Sequence, residues 1–327
     1  MRGEFELIAQ VFARLARAEA GAFGLTDDAA VIDLEKNQSL VATVDAMIEG
    51  VHFLPDDPPG LVARKLLRVN LSDLAAMGAV PRGYLLTTAY SKRIDEAWVE
   101  AFARGLEQDQ EIFRIGLLGG DSVSTPGPLA LTLTALGALP RGSALRRATA
   151  RAGEDVYVSG TLGDGALGLL AIKGELSGLE GAERATLAGR YRLPEPRVAL
   201  GVALREAGLA SSAIDISDGL IGDLGHICET SGGLGAEIEA KALPLSAAAD
   251  RALEANPRLL EAIAAGGDDY ELLFTAAPEL AREIATLSLE LGLPLIRVGQ
   301  LTASGGIRLL DRKGEAIPLE NVGWRHF

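Results

Sequence analysis

The sequence predicts an α/β protein of two domains, an α+β domain over residues 1–145 and an α/β domain over residues 146–327. Its 327 residues exceed the size at which one hydrophobic core usually keeps growing. Apolar runs of strand length alternate with runs of helical periodicity along most of the chain. Between Pro140 and Asp155 the arginine-rich stretch PRGSALRRATARAGED interrupts that alternation and marks the boundary.

In order along the chain, Phe5, Ile8, Phe12 and Leu15 share one helical face and predict a helix over Phe5–Ala20. Strands follow over Ala30–Leu34 and Leu40–Val44. A long helix from Gly60 to Met77 closes at Gly78, a residue type suited to the left-handed turn that ends helices. GYLLTTAY reads as a strand, Ile94–Phe113 as a helix and Arg114–Leu118 as a strand. Leu129, Leu131 and Leu133 then alternate with small polar residues in a half-buried strand. The second half begins with a strand at Asp155–Ser159, a helix to Lys173, a polar insertion GELSGLEGAERA and further helix to Ala207. It continues with a strand at Ala213–Ser217, a helix from Gly219, the strand YELLFTA, a helix at Pro278–Leu291 and the strand LPLIRVGQL.

With 48% hydrophobic and 23% charged residues, the composition is ordinary for a soluble globular enzyme. A net charge of −14 argues against nucleic acid, whose binders carry a basic patch or stripe. It also means that a phosphorylated ligand needs cations to mediate its approach. The single cysteine, Cys228, excludes an internal disulfide and a multi-cysteine zinc site, and fits a reducing compartment. Glu4 and Glu6 stand where a signal peptide would be apolar, and no apolar run reaches the roughly 18 residues of a membrane-spanning helix. A cytoplasmic protein without a membrane partner is expected.

The informative pattern is where aspartates fall. Asp45 ends the strand Leu40–Val44, Asp121 follows IGLLGG, and Asp215 and Asp218 end the strand before Gly219. Asp27 and Asp28 follow a turn, Asp268 and Asp269 follow AAGG, and Asp73 shares a helix face with Asn70. Scattered surface aspartates are common, but repeated placement at strand ends and after Gly-Gly is where rigid elements present carboxylates to a ligand. Two carboxylates about 4 Å apart repel by roughly 4 kcal/mol at an effective dielectric near 20. A cluster therefore holds protons or binds hard cations, and oxygen donors without His or Cys support favour Mg²⁺ with substrate phosphates.

Other nucleotide and catalytic signatures are weaker. No Walker-A sequence occurs. Gly163, Gly165 and Gly168 form a G-x-G-x-x-G after a strand, yet the second strand with its acidic residue is missing, so close helix packing is the better reading. No G-x-S-x-G accompanies the three histidines. His226 reads as structural within the helix after Gly219, His326 lies in the tail, and His52 in EGVHF is placed to face the site. Ser217 and Asp218 suit a helix start, with Asp215 directed to a cleft.

GEFELI, DDAAV at Asp27, VDAMIEGVHF at Asp45, NLSDLAAMGA at Asn70, GGDS at Gly119, SGTLGDGALGL at Ser159, DISDGL at Asp215, GGDDYEL at Gly266 and GW at Gly323 occur in one order. In that order they resemble the thiamine-monophosphate kinase family, within the superfamily of aminoimidazole ribonucleotide synthetase, selenophosphate synthetase and the hydrogenase maturation factor. The resemblance spans nearly the whole chain. It implies a two-domain synthetase-like fold whose N-terminal strands pair across a homodimer, and ATP-dependent phosphorylation of thiamine monophosphate to the diphosphate. It further implies several Mg²⁺ ions and a monovalent cation such as K⁺. Asp28, Thr43, Asp45, Asp73, Asp121, Asp215 and Asp218 look like metal ligands. Gly120, Asp121, Arg147 and Ser217 resemble ATP contacts, with Arg146 one position away from that register. His52, Asp268 and Trp324 match positions that contact the thiamine phosphate. Val44 stands where Thr is common, Thr26 where Gly precedes the aspartate pair, and Asp268 where Glu is common. The DISDGL stretch is thus read as half of a phosphate site, the other half lying in the N-terminal domain. The selenium branch needs a reactive cysteine near the N-terminus and the hydrogenase branch a C-terminal one, and the single Cys228 stands at neither place. An aminoimidazole ribonucleotide synthetase-like enzyme and a non-catalytic nucleotide or thiamine-phosphate sensor stay open as alternatives.

Overall fold

The computed structural model describes residues 6, 8–27, 29–303, 305–319 and 323. Two compact units divide the chain, Met1–Leu74 with Ala79–Ser143 and Ala75–Gly78 with Ala144–Phe327. Among the described residues no helix is long and apolar enough to cross a membrane.

The first unit is built on strands β1 (Gln38–Ile48), β2 (Val80–Tyr90), β3 (Leu117–Ser124) and β4 (Ala130–Pro140) in the order β1-β4-β2-β3. β4 is antiparallel to both its neighbours, and β3 runs parallel to β2. Helices α1 (Pro59–Ala76) and α2 (Glu96–Phe113) cover one face. Asn70 of α1 accepts from the Asp45 amide at 3.2 Å, and Gln110 of α2 donates to the Tyr84 hydroxyl at 2.9 Å. Period-2 alternation sends Leu131, Leu133 and Ala135 of β4 under the helices, each fully buried. On the other face Leu40, Val44 and Ile48 of β1, Leu85 of β2 and Val123 of β3 remain 36–59% exposed.

A buried charge cluster ties the helices together. Asp109 of α2 has no exposed side-chain surface and accepts from Arg68 Nε at 2.7 Å, Arg68 Nη2 at 3.0 Å and Arg64 Nε at 2.8 Å. Two guanidinium groups thereby saturate one carboxylate, the condition under which a buried charge is tolerated.

The second unit holds a seven-stranded sheet formed by β5 (Asp155–Ser159), β6 (Ser212–Asp215), β7 (Gly235–Glu239), β8 (Leu272–Ala276), β9 (Leu295–Thr302), β10 (Ile307–Leu310) and β11 (Ala316–Ile317). Their order is β11-β10-β7-β9-β5-β8-β6, with only β7 and β10 parallel. Val156 and Val158 of β5 and Leu273 of β8 enter one core, with α3 (Asp164–Lys173), α4 (Gly181–Arg192), α6 (Leu220–Thr230), α7 (Ala247–Ala255) and α8 (Leu259–Ala265). Tyr157, Leu272 and Phe274, the alternate residues, enter a second core with α5 (Val198–Ala207) and α9 (Ala281–Leu291). Helices on both faces of a sheet give the α/β layering expected.

Several elements differ from expectation. Within the helix predicted over Phe5–Ala20, Ile8–Phe12 wind as a π-helix and Ala13–Ala16 as a 3-10 helix. Val11, Phe12, Leu15 and Ala16 are still buried on one side, but no side chain caps the 3-10 turn, so packing sets its winding. Ala30–Leu34 forms no strand: Val31 instead donates its amide to Gly21 O at 2.9 Å. Part of the polar insertion is helical as α4, because Glu180 and Glu183 make a reciprocal capping box.

Replacing Asp109 by Ala leaves two cations in a dry helix interface without their counter-ion. This change is expected to lower the unfolding free energy by about 3–5 kcal/mol, measured by urea denaturation.

Candidate active site

In the first unit, β1 does not stop at Asp45. Its ladder with β4 runs unbroken from Gln38↔Pro140 to Ile48↔Ala130, so Asp45 is a mid-strand residue. A carboxylate is accommodated there because its face of β1 meets polar groups of α1 rather than the apolar core. Thr43, two residues earlier on the same face, donates from Oγ1 to Asp73 Oδ2 at 2.5 Å. Asn70 is fully buried and fixed by donation to Leu66 O at 2.9 Å, which aims its carbonyl oxygen at the Asp45 amide. Burial, then the charge and hydrogen bond of Asp73, push the Asp45 carboxyl up to about 7.

His52 lies in the turn after β1, where its Nδ1 accepts from the Ile48 amide at 3.0 Å. That bond places the ring proton on Nε2, the outward nitrogen. Asp121 is likewise within a strand rather than after one, since β3 continues to Ser124. Ser122 Oγ lies 3.0 Å from Thr88 Oγ1 on the covered face, and Asp121, in register with exposed Thr87, lies on the open face. β1 and β3 are the two edges of the sheet, about 14 Å apart at the usual strand spacing. Asp121 therefore does not join Asp45 and Asp73 within one sheet. Asp28 and Trp324 lie outside the described residues.

In the second unit, the turn between β6 and α6 is organised by a residue that the motif reading passed over. Asp223 Oδ2 accepts from the amides of Ser217 at 3.1 Å, Asp218 at 3.0 Å and Gly219 at 3.1 Å. The helix is thus capped from inside its own first turn, and neither Ser217 nor Asp218 acts as its cap. Asp223 was detectable as a lone carboxylate on the apolar stripe of Leu220, Leu224 and Ile227. Burial and Asp218 raise its carboxyl to about 7 against the opposing pull of the Asp218 and Gly219 amides and of Arg147. Arg147 is therefore the arginine whose charge reaches this turn. Asp215, at the end of β6, is 3% exposed. The GGDDY loop docks on the same turn, Asp268 donating its amide to Ser217 O at 2.9 Å and Tyr270 to Ile216 O at 2.8 Å. Both residues hold a positive φ, +72° and +53°.

The G-x-G-x-x-G is accounted for by packing. Asp269 accepts from Gly163 N at 2.7 Å and Gly165 N at 2.9 Å, so a carboxylate of the protein itself occupies the amides at the start of α3. Burial outweighs those two bonds and pushes Asp269 up to about 8. Beside it, Glu271 is fully buried and receives Arg197, Arg190 and the Ser159 hydroxyl.

Comparison with known proteins places the chain in a family. The description "AIR synthase related protein, N-terminal domain" matches residues 26–139, and its C-terminal counterpart matches 151–312. A thiamine-monophosphate kinase of Caulobacter vibrioides is 42% identical over 326 residues, which cover 99% of this chain and 90% of that protein. The chain belongs to the thiamine-monophosphate kinase family. The crystal structure of the Stenotrophomonas maltophilia K279a family member superposes with a TM-score of 0.83 at 39% identity, covering 94% of this chain and 98% of its own. The structure described as AaThiL complexed with AMPPCP and TMP gives 0.77 at 29% identity, covering 100% and 99%. The mixed helix-and-sheet, two-domain fold is shared with these family members.

Asp45, Asp223 and Asp269 all have folded-state carboxyls raised above the usual 3.8, to about 7, 7 and 8. Between these limits the folded chain holds protons that the unfolded chain has released, so stability falls as pH rises. In cation-free buffer the urea midpoint is expected to drop between pH 5 and pH 8, and to drop less in Asp45→Asn.

Proposed function

We propose that this chain is an ATP-dependent kinase that converts thiamine monophosphate to thiamine diphosphate by direct in-line transfer. The observation that carries the reading is the Thr43–Asp45–Asp73 cluster, in a chain 42% identical to a thiamine-monophosphate kinase over 99% of its length. The ligands named for AaThiL, an ATP analogue and TMP, are the pair such a reaction needs. An oxygen of the acceptor phosphate attacks the γ-phosphorus, the bond to the β–γ bridging oxygen breaks, and ADP leaves. The acceptor is a phosphate monoester with a second pKa of about 6, already largely dianionic at neutral pH. No general base is required, so the residues of the chain bind, align and neutralise.

Half-buried carboxylates with one driven towards protonation fit hard cations. We assign several Mg²⁺ ions to Asp28, Thr43, Asp45, Asp73 and Asp121 of the first unit and to Asp215 and Asp218 of the second. When bound, Mg²⁺ supplies neutralisation of the phosphate oxygens. Gly120, Asp121, Ser217 and Arg147 are assigned to ATP, and the reach of Arg147 to Asp223 favours it over Arg146. His52, Asp268 and Trp324 are assigned to the thiamine phosphate, with Nε2–H of His52 as the donor. A K⁺ requirement and a cytoplasmic location belong to the same reading.

A homodimer accounts for the open face of the first sheet. Leu40, Val44, Ile48, Leu85 and Val123 form an apolar surface that a second copy would cover, and among the described residues β1 and β3 each have one edge without a paired strand. Pairing β1 with β3 of that copy would carry its Asp121 beside β1.

With Mg-ATP and thiamine monophosphate the protein is expected to form thiamine diphosphate and ADP. Asp45→Asn is expected to lose about 100-fold or more in kcat with its thermal melt retained. Absence of product in the presence of intact ATP binding overturns the kinase reading. By light scattering the protein is expected at twice the chain mass, and Leu40→Asp with Leu85→Asp at one chain mass; a monomeric wild type sinks the dimer.

A further inference from the structure

Arg147, assigned above to ATP, stands on the short 3-10 turn Arg147–Thr149, whose start no side chain caps. Ala148 within the turn leaves helical geometry at φ −98° and ψ 28°. The arginine itself is exposed, so packing does not aim it. A single turn has little stability of its own. The place of the arginine is therefore set by what grips its backbone.

Two hydroxyl groups grip it. Ser212 Oγ donates to the Arg147 carbonyl at 2.9 Å, and Ser231 Oγ donates to the same oxygen at 3.0 Å. Ser231 Oγ also accepts from the Ala150 amide at 3.2 Å, so one hydroxyl spans the turn. Thr149 Oγ1 donates to Ser211 O at 2.5 Å, and the Ala213 amide donates to Arg146 O at 3.2 Å. One donor is enough to satisfy a carbonyl. Donors on both lone pairs do more: they fix the plane of the Arg147–Ala148 peptide and hold the Cα from which the arginine departs.

The origin of the two donors is as informative as their number. Ser212 is fully buried in β6, paired with Thr275 of β8, and Ser231 directly follows the last residue of α6. The β6 ladder and the bond from the Ser231 amide to Ile227 O are made by backbone, so neither hydroxyl is needed by the element that carries it. Between the serines lie Asp215, Ser217 and Asp218, the residues assigned to metal and ATP. The arginine is thus registered against both ends of the strand–turn–helix that carries Ser217, across 65 and 84 residues of sequence.

We infer that Ser212 and Ser231 are positioning residues for ATP, acting through the Arg147 backbone to hold its guanidinium at the reach the triphosphate requires. The inference rests on the kinase reading and adds to it the anchor of the arginine. An error of about 1 Å in the placement of such a group can cost on the order of 100-fold.

The test is calorimetric binding of Mg-ATP, with steady-state kinetics alongside, for Ser212→Ala, Ser231→Ala, the two combined, Arg147→Met and the triple variant. Arg147→Met is expected to raise Kd for Mg-ATP about tenfold or more, and the combined serine variant about fivefold. KM for thiamine monophosphate is expected to stay within about twofold throughout. In the Arg147→Met background the serine substitutions are expected to change Kd less than about twofold, because the anchor then has nothing to position. Ser231→Thr, which keeps the hydroxyl at a half-buried position, is expected to bind as the wild type does, and Ser231→Ala reads the anchor even where Ser212→Ala folds poorly. Serine variants that bind Mg-ATP like the wild type, or a weakening carried undiminished into the Arg147→Met background, overturn the positioning role, as does an Arg147→Met without effect. A wild type that binds Mg-ATP yet forms no thiamine diphosphate overturns the kinase reading, and the binding series still decides the anchor.

Discussion

The first unit is arranged around a carboxylate held where its charge is disfavoured: Asp45, on a strand, is kept from ionising near neutrality first by burial and then by the charge of Asp73 on the facing helix. Left alone, such a pair would spread. It does not, because both scaffolds are anchored away from it. β1 is paired with β4 along eleven residues, and α1 is clamped to α2 through Arg64, Arg68 and Asp109. Thr43 and Asn70 then fix the two acids at short range, one by a hydroxyl and one through the backbone. The hydrophobic burial of the sheet thus holds in place a concentration of negative charge that the local side chains alone would not tolerate.

The second unit solves the converse problem. Its turns present converging amide groups, the usual furniture of anion sites, yet the protein fills them itself. Asp223 takes three amides at the start of α6, and Asp269 takes two at the start of α3. An incoming phosphate finds those amides already satisfied. The polar groups left for chemistry are side chains, which is consistent with an acidic protein that meets polyanions through cations and an arginine.

Much of this was legible in the sequence. The long helix carrying Asn70 and Asp73 and the strand–turn–helix at Asp215 were readable because their periodicity is uninterrupted and their ends carry glycine. The ends of β1 and β3 were not, because a carboxylate in an apolar run looks like a terminator unless the element facing it is known to be polar. β7, β10 and β11 were unread for a different reason: charged residues at Glu237 and Glu239 of β7 and Arg308 of β10, and the mere two residues of β11, leave no apolar run of the kind that made the equally short β5 and β8 readable. The role of Asp223 was written in the helical stripe, as a charge among leucines, but motif matching drew attention to its neighbours. His226 shows the limit of helical position as a guide: on α6 it falls beside the core stripe and reads as structural, yet it is exposed.

The hydrogen bonds from Asp268 and Tyr270 to Ser217 and Ile216 join two segments some fifty residues apart into one backbone ladder, continued by Ile216 N to Glu271 O at 2.8 Å. Losing one residue from the GGDDY loop would shift its amides past the carbonyls they serve and disturb the turn at Asp218 without altering a letter of it. Loop and turn therefore form one structural unit, in which the length of either sets the register of the other.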